Sequence, residues 1–296
     1  MFFGPRDLSF DGPAALPLKR RNTAADWAFY DISNLNEAEF EMLVAQRNTE
    51  GSILAVKPSS KGTASGITKH QDHAALKSAK GKMLEHFTIA GVGSSDVGAA
   101  SLARSLADHL GKPVGAIVAG YGVSDLLQEA LGGWFFFGAA NRAQAWMDRL
   151  SIPRGGETAH SVTARAQIAA TLEPAQDDTR TLLRLLIDPD RTVRTLLGHS
   201  KGCLSIAFAL NHVRDNAGPG EFDQFTGIEV ITTGAVSEVP REMTSVRQYL
   251  GALDWFGGMN SVVGTPFIRV PNAWHHVNTD LPFHMDLGEV LSGAYD

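Results

Sequence analysis

The chain has a single cysteine, Cys203, among its 296 residues, so no disulfide can form within it and cysteine usage points to no oxidising compartment. Long apolar runs are also missing. The most apolar stretch, Gly132 through Ala140, falls far short of the ~20 residues a membrane-spanning helix needs, so no transmembrane segment is expected. Basic charge is not concentrated either. Lys and Arg number 26 against 32 Asp and Glu, the formal net charge is −6 and the pI is near 5.9. Lys19-Arg20-Arg21 is too short a cluster to grip a phosphate backbone, which argues against nucleic acid as a partner. At the amino terminus, Met1-Phe2-Phe3-Gly4-Pro5-Arg6-Asp7 meets proline and charge before the apolar core of a signal peptide can form, and the expectation is a cytoplasmic protein.

Two nucleotide signatures are incomplete. After Gly91-x-Gly93, Asp96 stands where a dinucleotide fingerprint needs its third glycine. Gly93 and Gly98 have P-loop spacing, but Ala99-Ala100 replaces the Lys and Ser/Thr that would hold phosphate and magnesium. His70-x-x-His73, with His86 beyond, lacks a matching cysteine or carboxylate pattern, so the expectation is no metal and no cofactor.

What is present is enough apolar residue, 44%, to bury a large core. Residues 24–30 and Glu37 to Gln46 have helical composition, the second behind an N-cap at Asn36, and Ser52 to Val56 reads as a strand. From Phe87 strands alternate with helices. Phe87 to Ala90 is strand-like, Val97 to Leu110 is an amphipathic helix ending at Gly111, and Pro113 to Ala119 is a second apolar strand. Ser124 to Leu131 restarts a helix; Val193 to Leu197, Ile228 to Thr232, Val246 to Leu250 and Pro266 to Val270 supply further strands, and Asp286 to Leu291 a last helix. This order predicts an α/β fold with a mainly parallel sheet covered on both faces. Residues 1–296 read as one domain, with 1–80 as an N-terminal extension and 132–190 as an insert or lid before the strand at Val193. Trp134-Phe135-Phe136-Phe137 opens that insert. It is either core or an apolar substrate wall, and Trp134 and Phe135 are the candidate substrate-binding residues.

Gly198-His199-Ser200-Lys201-Gly202 carries the chemistry. A serine that attacks a carbonyl stands on a sharp strand-to-helix turn, and a glycine on each side removes side-chain atoms that would collide there. The strand-like run ahead of it and the helical spacing of Cys203, Ile206, Ala207 and Leu210 behind it provide that context. Ser200 is thus the candidate nucleophile, at a helix N-terminus where the Lys201 backbone N–H is a first oxyanion donor. A second donor is expected from the glycine loop Gly91-Val92-Gly93-Ser94-Ser95. In a hydrolase of this order the acid and the base follow the serine. Asp254, after the strand at Val246 to Leu250, is preferred as the acid over Glu238. Three histidines, His275, His276 and His284, are open as the base.

These residues resemble the α/β-hydrolase superfamily, and within it the class 3 lipase branch. The likeness covers roughly residues 87 to 290: the G-H-S-x-G elbow, Gly93-Ser94 after a strand, Thr233-Gly234-Ala235-Val236, Asp254 one strand later, and His284-Met285 near the C-terminus. The resemblance implies an α/β-hydrolase fold, Ser94 as an oxyanion donor, His284 as the base and cleavage of a small-molecule or lipid-like ester through an acyl-enzyme. An acyltransferase on the same fold and a non-catalytic binding protein that keeps the fold are the alternatives. The acyl and alcohol groups and the oligomeric state are not written in the sequence.

Overall fold

The computed structural model describes residues 25–46, 48–59, 66–79, 83–119, 177–262 and 264–296. Their organising element is one eight-stranded mixed sheet. In chain order the strands are β1 Ile53–Val56, β2 Ile67–His70, β3 His86–Ile89, β4 Val114–Ile117, β5 Thr195–His199, β6 Glu229–Thr233, β7 Ser245–Gly251 and β8 Ile268–Val270. They lie side by side as β2-β1-β4-β3-β5-β6-β7-β8. From β4 to β8 every neighbouring pair is parallel, while β1 runs antiparallel to both β2 and β4.

The helices are α1 Glu37–Ala45, α2 His73–Ser78, α3 Asp96–Leu110, α4 Asp177–Ile187, α5 Lys201–Asn216, α6 Trp255–Met259 and α7 Leu287–Ser292, and residues 25–29 are also helical. Local chemistry sets several of their ends. Asn36 and Glu39 form a reciprocal capping box on α1, and α3 ends where Gly111 turns left-handed at φ 63°.

Strand alternation divides the core into two layers. Leu54, Val56, Leu197, Ile231, Tyr249 and Val270 point into one, which α3 and α7 cover. Ile53, Phe87, Ile89, Leu196 and Val230 point into the other, closed by α4 and α5. The α/β class expected from the alternation of elements is therefore what the chain forms.

Two sequence expectations about its limits change. Of the segment expected as an extension, the described residues contribute two strands of the same sheet, and Leu43, Leu54, Val56 and Ile67 are buried in its core. The end of the 132–190 interval is likewise core, because α4 packs on α5 through Leu182, Leu183, Leu185 and Leu186. Trp134, Phe135 and Ser124 to Leu131 lie outside the described residues. Among those described, no helix is long and apolar enough to cross a membrane.

The strand order fixes where a site can form. From β3 the chain crosses one way to β4 and then returns to the other side of β3 as β5. The connections leaving β3 and β5 diverge there, and the carboxyl ends of the strands at such a point are where open α/β sheets collect ligands.

Candidate active site

Ser200 leaves β5 with φ 55° and ψ −119°, a conformation that a residue with a side chain adopts only when the surroundings impose it. The two flanking glycines make the turn sterically feasible. A Cβ on Gly202 would collide with the carbonyl oxygen of Ile89 in β3, and one on Gly198 would come within 2.8 Å of the Cys203 nitrogen. The elbow is tied to β6: the Ser200 N–H donates to the Thr233 carbonyl at 2.9 Å, and Thr233 Oγ1 donates to the Gly198 carbonyl at 3.1 Å. Cys203 lies behind it, and burial pushes its thiol up to about 12, so it is an inert packing residue.

The loop after β7 carries Asp254, the candidate acid. Asp254 caps α6, its Oδ1 accepting the Gly257 N–H at 2.6 Å. Its Oδ2 accepts the Nδ1–H of His275 at 2.8 Å. Both residues are buried, so this pair is shielded from water. Leu253 holds the two loops in register, donating its N–H to the Ala273 carbonyl at 2.9 Å.

His275 is the histidine brought to the serine. Its Nε2 lies 2.9 Å from Ser200 Oγ. Because Nδ1 carries the proton given to Asp254, Nε2 presents a lone pair to the Ser200 hydroxyl. Phe256 and Phe29 meet the imidazole edge-on, with ring centroids 4.9 and 6.0 Å away, and fix its plane.

His284, expected as the base, is not the histidine at Ser200. That histidine is half-buried at the entry to α7, where its Nδ1–H donates to the Leu281 carbonyl at 2.9 Å. His276 faces the other way, with its Nε2 3.1 Å from the Pro282 carbonyl, and burial lowers its pKa. Glu238 is held in the loop after β6, where its backbone carbonyl accepts from Asn211 at 2.8 Å. Of the candidate site residues, the structure brings together Ser200, Asp254 and His275.

Lys201 begins α5, with its backbone N–H at the head of the helix. Its side chain is buried against Asp178 of α4, Nζ to Oδ2 3.4 Å, so it anchors the elbow helix to its neighbour. The glycine loop after β3 lies alongside: a Cβ on Gly91 would be 3.0 Å from Ser200 Cβ. Its Ser94 is buried, and a Cβ on Gly98 would meet Ser94 Oγ, Asp26 Oδ1 and the Tyr30 ring together. The Ser94 hydroxyl therefore belongs to a polar cluster with Asp26 and Tyr30. Within the loop, the Gly91 N–H goes to Tyr30 and the Ser94 N–H to the Gly91 carbonyl. The Val92 and Gly93 N–H groups have no hydrogen-bond partner among the described residues.

Two further residues complete the surroundings and were not singled out by the sequence. Tyr30 Oη lies 2.9 Å from His199 Nδ1, and His199 Nε2 lies 2.8 Å from the His275 carbonyl. A hint was present in the elbow itself, where a histidine stands next to the serine. Among the described residues, no group of three or more His, Cys, Asp or Glu is arranged to hold a metal ion. His73 instead pairs with Asp188 at 2.9 Å and His86 with Thr195 at 3.1 Å.

Compared with protein-family models, with curated proteins and with solved structures, the chain has no match in any of the three.

Proposed function

We propose that the protein is a serine hydrolase of α/β-hydrolase type that cleaves carboxylic esters. The observation that carries this reading is the continuous chain Ser200 Oγ, His275 Nε2, His275 Nδ1, Asp254 Oδ2, with contacts of 2.9 and 2.8 Å and the serine on a turn at positive φ. A structural serine needs neither the strained backbone nor a buried imidazole and carboxylate in line behind it.

The chemistry follows from the tautomer. His275 Nε2 accepts the Ser200 hydroxyl proton as Oγ bonds to the ester carbonyl carbon, and the imidazolium is held by Asp254 through Nδ1–H. The carbonyl π pair moves to the oxygen, and the tetrahedral oxyanion needs two donors. One is the Lys201 N–H at the start of α5, where the helix dipole adds to its pull. The other is the Val92 N–H, next to the glycine that packs on Ser200, in place of the Ser94 hydroxyl that sits with Asp26 and Tyr30. Collapse of the intermediate expels the alkoxide, which takes the proton from His275 Nε2. Water then bonds to the acyl carbon as the same nitrogen takes its proton, and the bond to Ser200 Oγ breaks, the oxygen taking that proton back as the acid leaves.

The reading is tested with p-nitrophenyl esters and a fluorophosphonate probe. Wild-type protein is expected to turn over the ester and to be labelled at Ser200, and Ser200→Ala to lose both. Undiminished turnover by Ser200→Ala would overturn it.

A further inference from the structure

Four distant parts of the chain meet behind the proposed triad in a run of hydrogen bonds that the reaction steps above do not use. The Gly91 N–H donates to Tyr30 Oη at 2.6 Å. Tyr30 Oη faces His199 Nδ1 at 2.9 Å, and His199 Nε2 faces the His275 carbonyl at 2.8 Å. Tyr30 and His199 are 3% and 1% exposed, so water cannot substitute for either partner.

Every proton in the run is determined. The His275 carbonyl can only accept, which puts the His199 ring proton on Nε2. His199 Nδ1 is then an acceptor, so the single Tyr30 proton points to it, and the remaining oxygen lone pairs receive the Gly91 N–H. Burial, reinforced by the neighbouring His275, pushes His199 down to about 3, and burial raises the Tyr30 phenol well above its usual range. Neither group changes charge at neutral pH, and the direction of the run does not reverse.

The two ends are the parts that matter for the reaction. Gly91 packs on Ser200 and precedes the Val92 N–H, and the His275 carbonyl belongs to the residue whose ring takes the proton. We propose that Tyr30 and His199 are a pair of positioning residues that tie the oxyanion loop to the backbone of the base, setting both against Ser200 through one hydroxyl proton. The inference rests on the hydrolase reading. Packing by the Tyr30 ring is a separate matter, because the ring already stacks edge-on against His199 at 5.2 Å between centroids without its hydroxyl.

Tyr30→Phe separates the two roles. It keeps the ring and removes the hydroxyl's bonds to the Gly91 N–H and to His199 together with its contact with Ser94. A misplacement of about 1 Å at reacting groups can cost about 100-fold, so kcat for p-nitrophenyl acetate is expected to fall about 10- to 100-fold with KM within about twofold. The rate of fluorophosphonate labelling at Ser200 should fall in parallel. The ¹⁵N resonance of His199 Nδ1 should shift as it loses the Tyr30 hydroxyl, while the Nε2–H tautomer set by the His275 carbonyl stays.

His199→Gln gives the second variant. Its amide nitrogen reaches the position of Nε2 and keeps the bond to the His275 carbonyl while releasing Tyr30, and its loss should match that of Tyr30→Phe. The double variant should be no slower than the slower single one, because both cut the same link. A Tyr30→Phe kcat within twofold of an active wild type would overturn the pair and leave the hydrolase reading standing. If Tyr30→Phe does not fold, a His199→Gln kcat within twofold does the same. A wild type that neither turns over ester nor takes the probe removes the hydrolase reading, and this inference with it.

Discussion

Asp254 uses its two carboxylate oxygens for two tasks: Oδ1 caps α6 through the Gly257 N–H at 2.6 Å, and Oδ2 receives the Nδ1–H of His275 at 2.8 Å. A helix cap and an imidazole partner are usually alternative readings of an aspartate at a strand end. Here they are one arrangement, because the cap fixes χ1 of Asp254 and so aims the second oxygen. The short helix α6 also brings Phe256 edge-on to the same imidazole. The carboxylate and the ring that contact the His275 imidazole are thus both set by the segment 252–257 that follows β7.

From this geometry the base can be identified by substitution. His275→Ala should lower kcat for an activated ester by about 10⁴-fold or more, the scale on which removing one member of such a chain acts. His284→Ala, which loses only a bond to the Leu281 carbonyl, should stay within about threefold of wild type. Steady-state assays of both variants check it; a His284→Ala loss equal to that of His275→Ala would return the role to His284.

The contrast between these two histidines indicates what the sequence could carry. The elbow was legible because its glycines are demanded by local sterics, within two residues of Ser200. Asp254 was legible because it closes a strand with a clear pattern, and α1 and α3 because their caps are chemically specific. His275 stands just past β8, where a strand end marks it, whereas the likeness to a His-Leu pair in a known family points to His284. Strand β2, with only Ile67 fully buried, carries too weak an alternation to be recognised alone. Tyr30 is invisible in the sequence for a different reason: what singles it out is bonds to residues 61 and 169 positions away.

The elbow glycine should be the most sensitive glycine tested. Gly202→Ala puts a methyl group into the Ile89 carbonyl, and backbone on both sides has no room to retreat. Overpacking of this kind costs about 1–3 kcal/mol, and the shift of the turn should lower kcat at least tenfold. Gly227→Ala, where nothing lies within 4 Å, is the control and should leave thermal midpoint and rate unchanged. Equal behaviour of the two variants in a thermal melt and an ester assay would contradict the close-packed elbow.

Two buried groups near the elbow should pull stability in opposite directions with pH. Burial raises Asp26 from 3.8 to about 7, against the hydrogen bonds it accepts from Ser95, Gly98 and Ser94. Between those values the native state holds the proton that the unfolded chain has lost, so this group's contribution falls as pH rises from about 4 to about 7. His199 is lowered from 6.5 to about 3, so between those values the unfolded chain holds the extra proton and its contribution falls as pH drops. Over about pH 4 to 6.5 the two slopes oppose and largely cancel, although each alone spans up to about 5 kcal/mol. Asp26→Asn should therefore expose the histidine slope and make the protein lose stability more steeply on acidification. His199→Asn should expose the carboxyl slope, giving a protein relatively more stable at pH 4.5 than at pH 7 when compared with wild type. Urea unfolding midpoints measured across pH 4 to 8 for the three proteins test the signs, and identical pH profiles would refute the opposition.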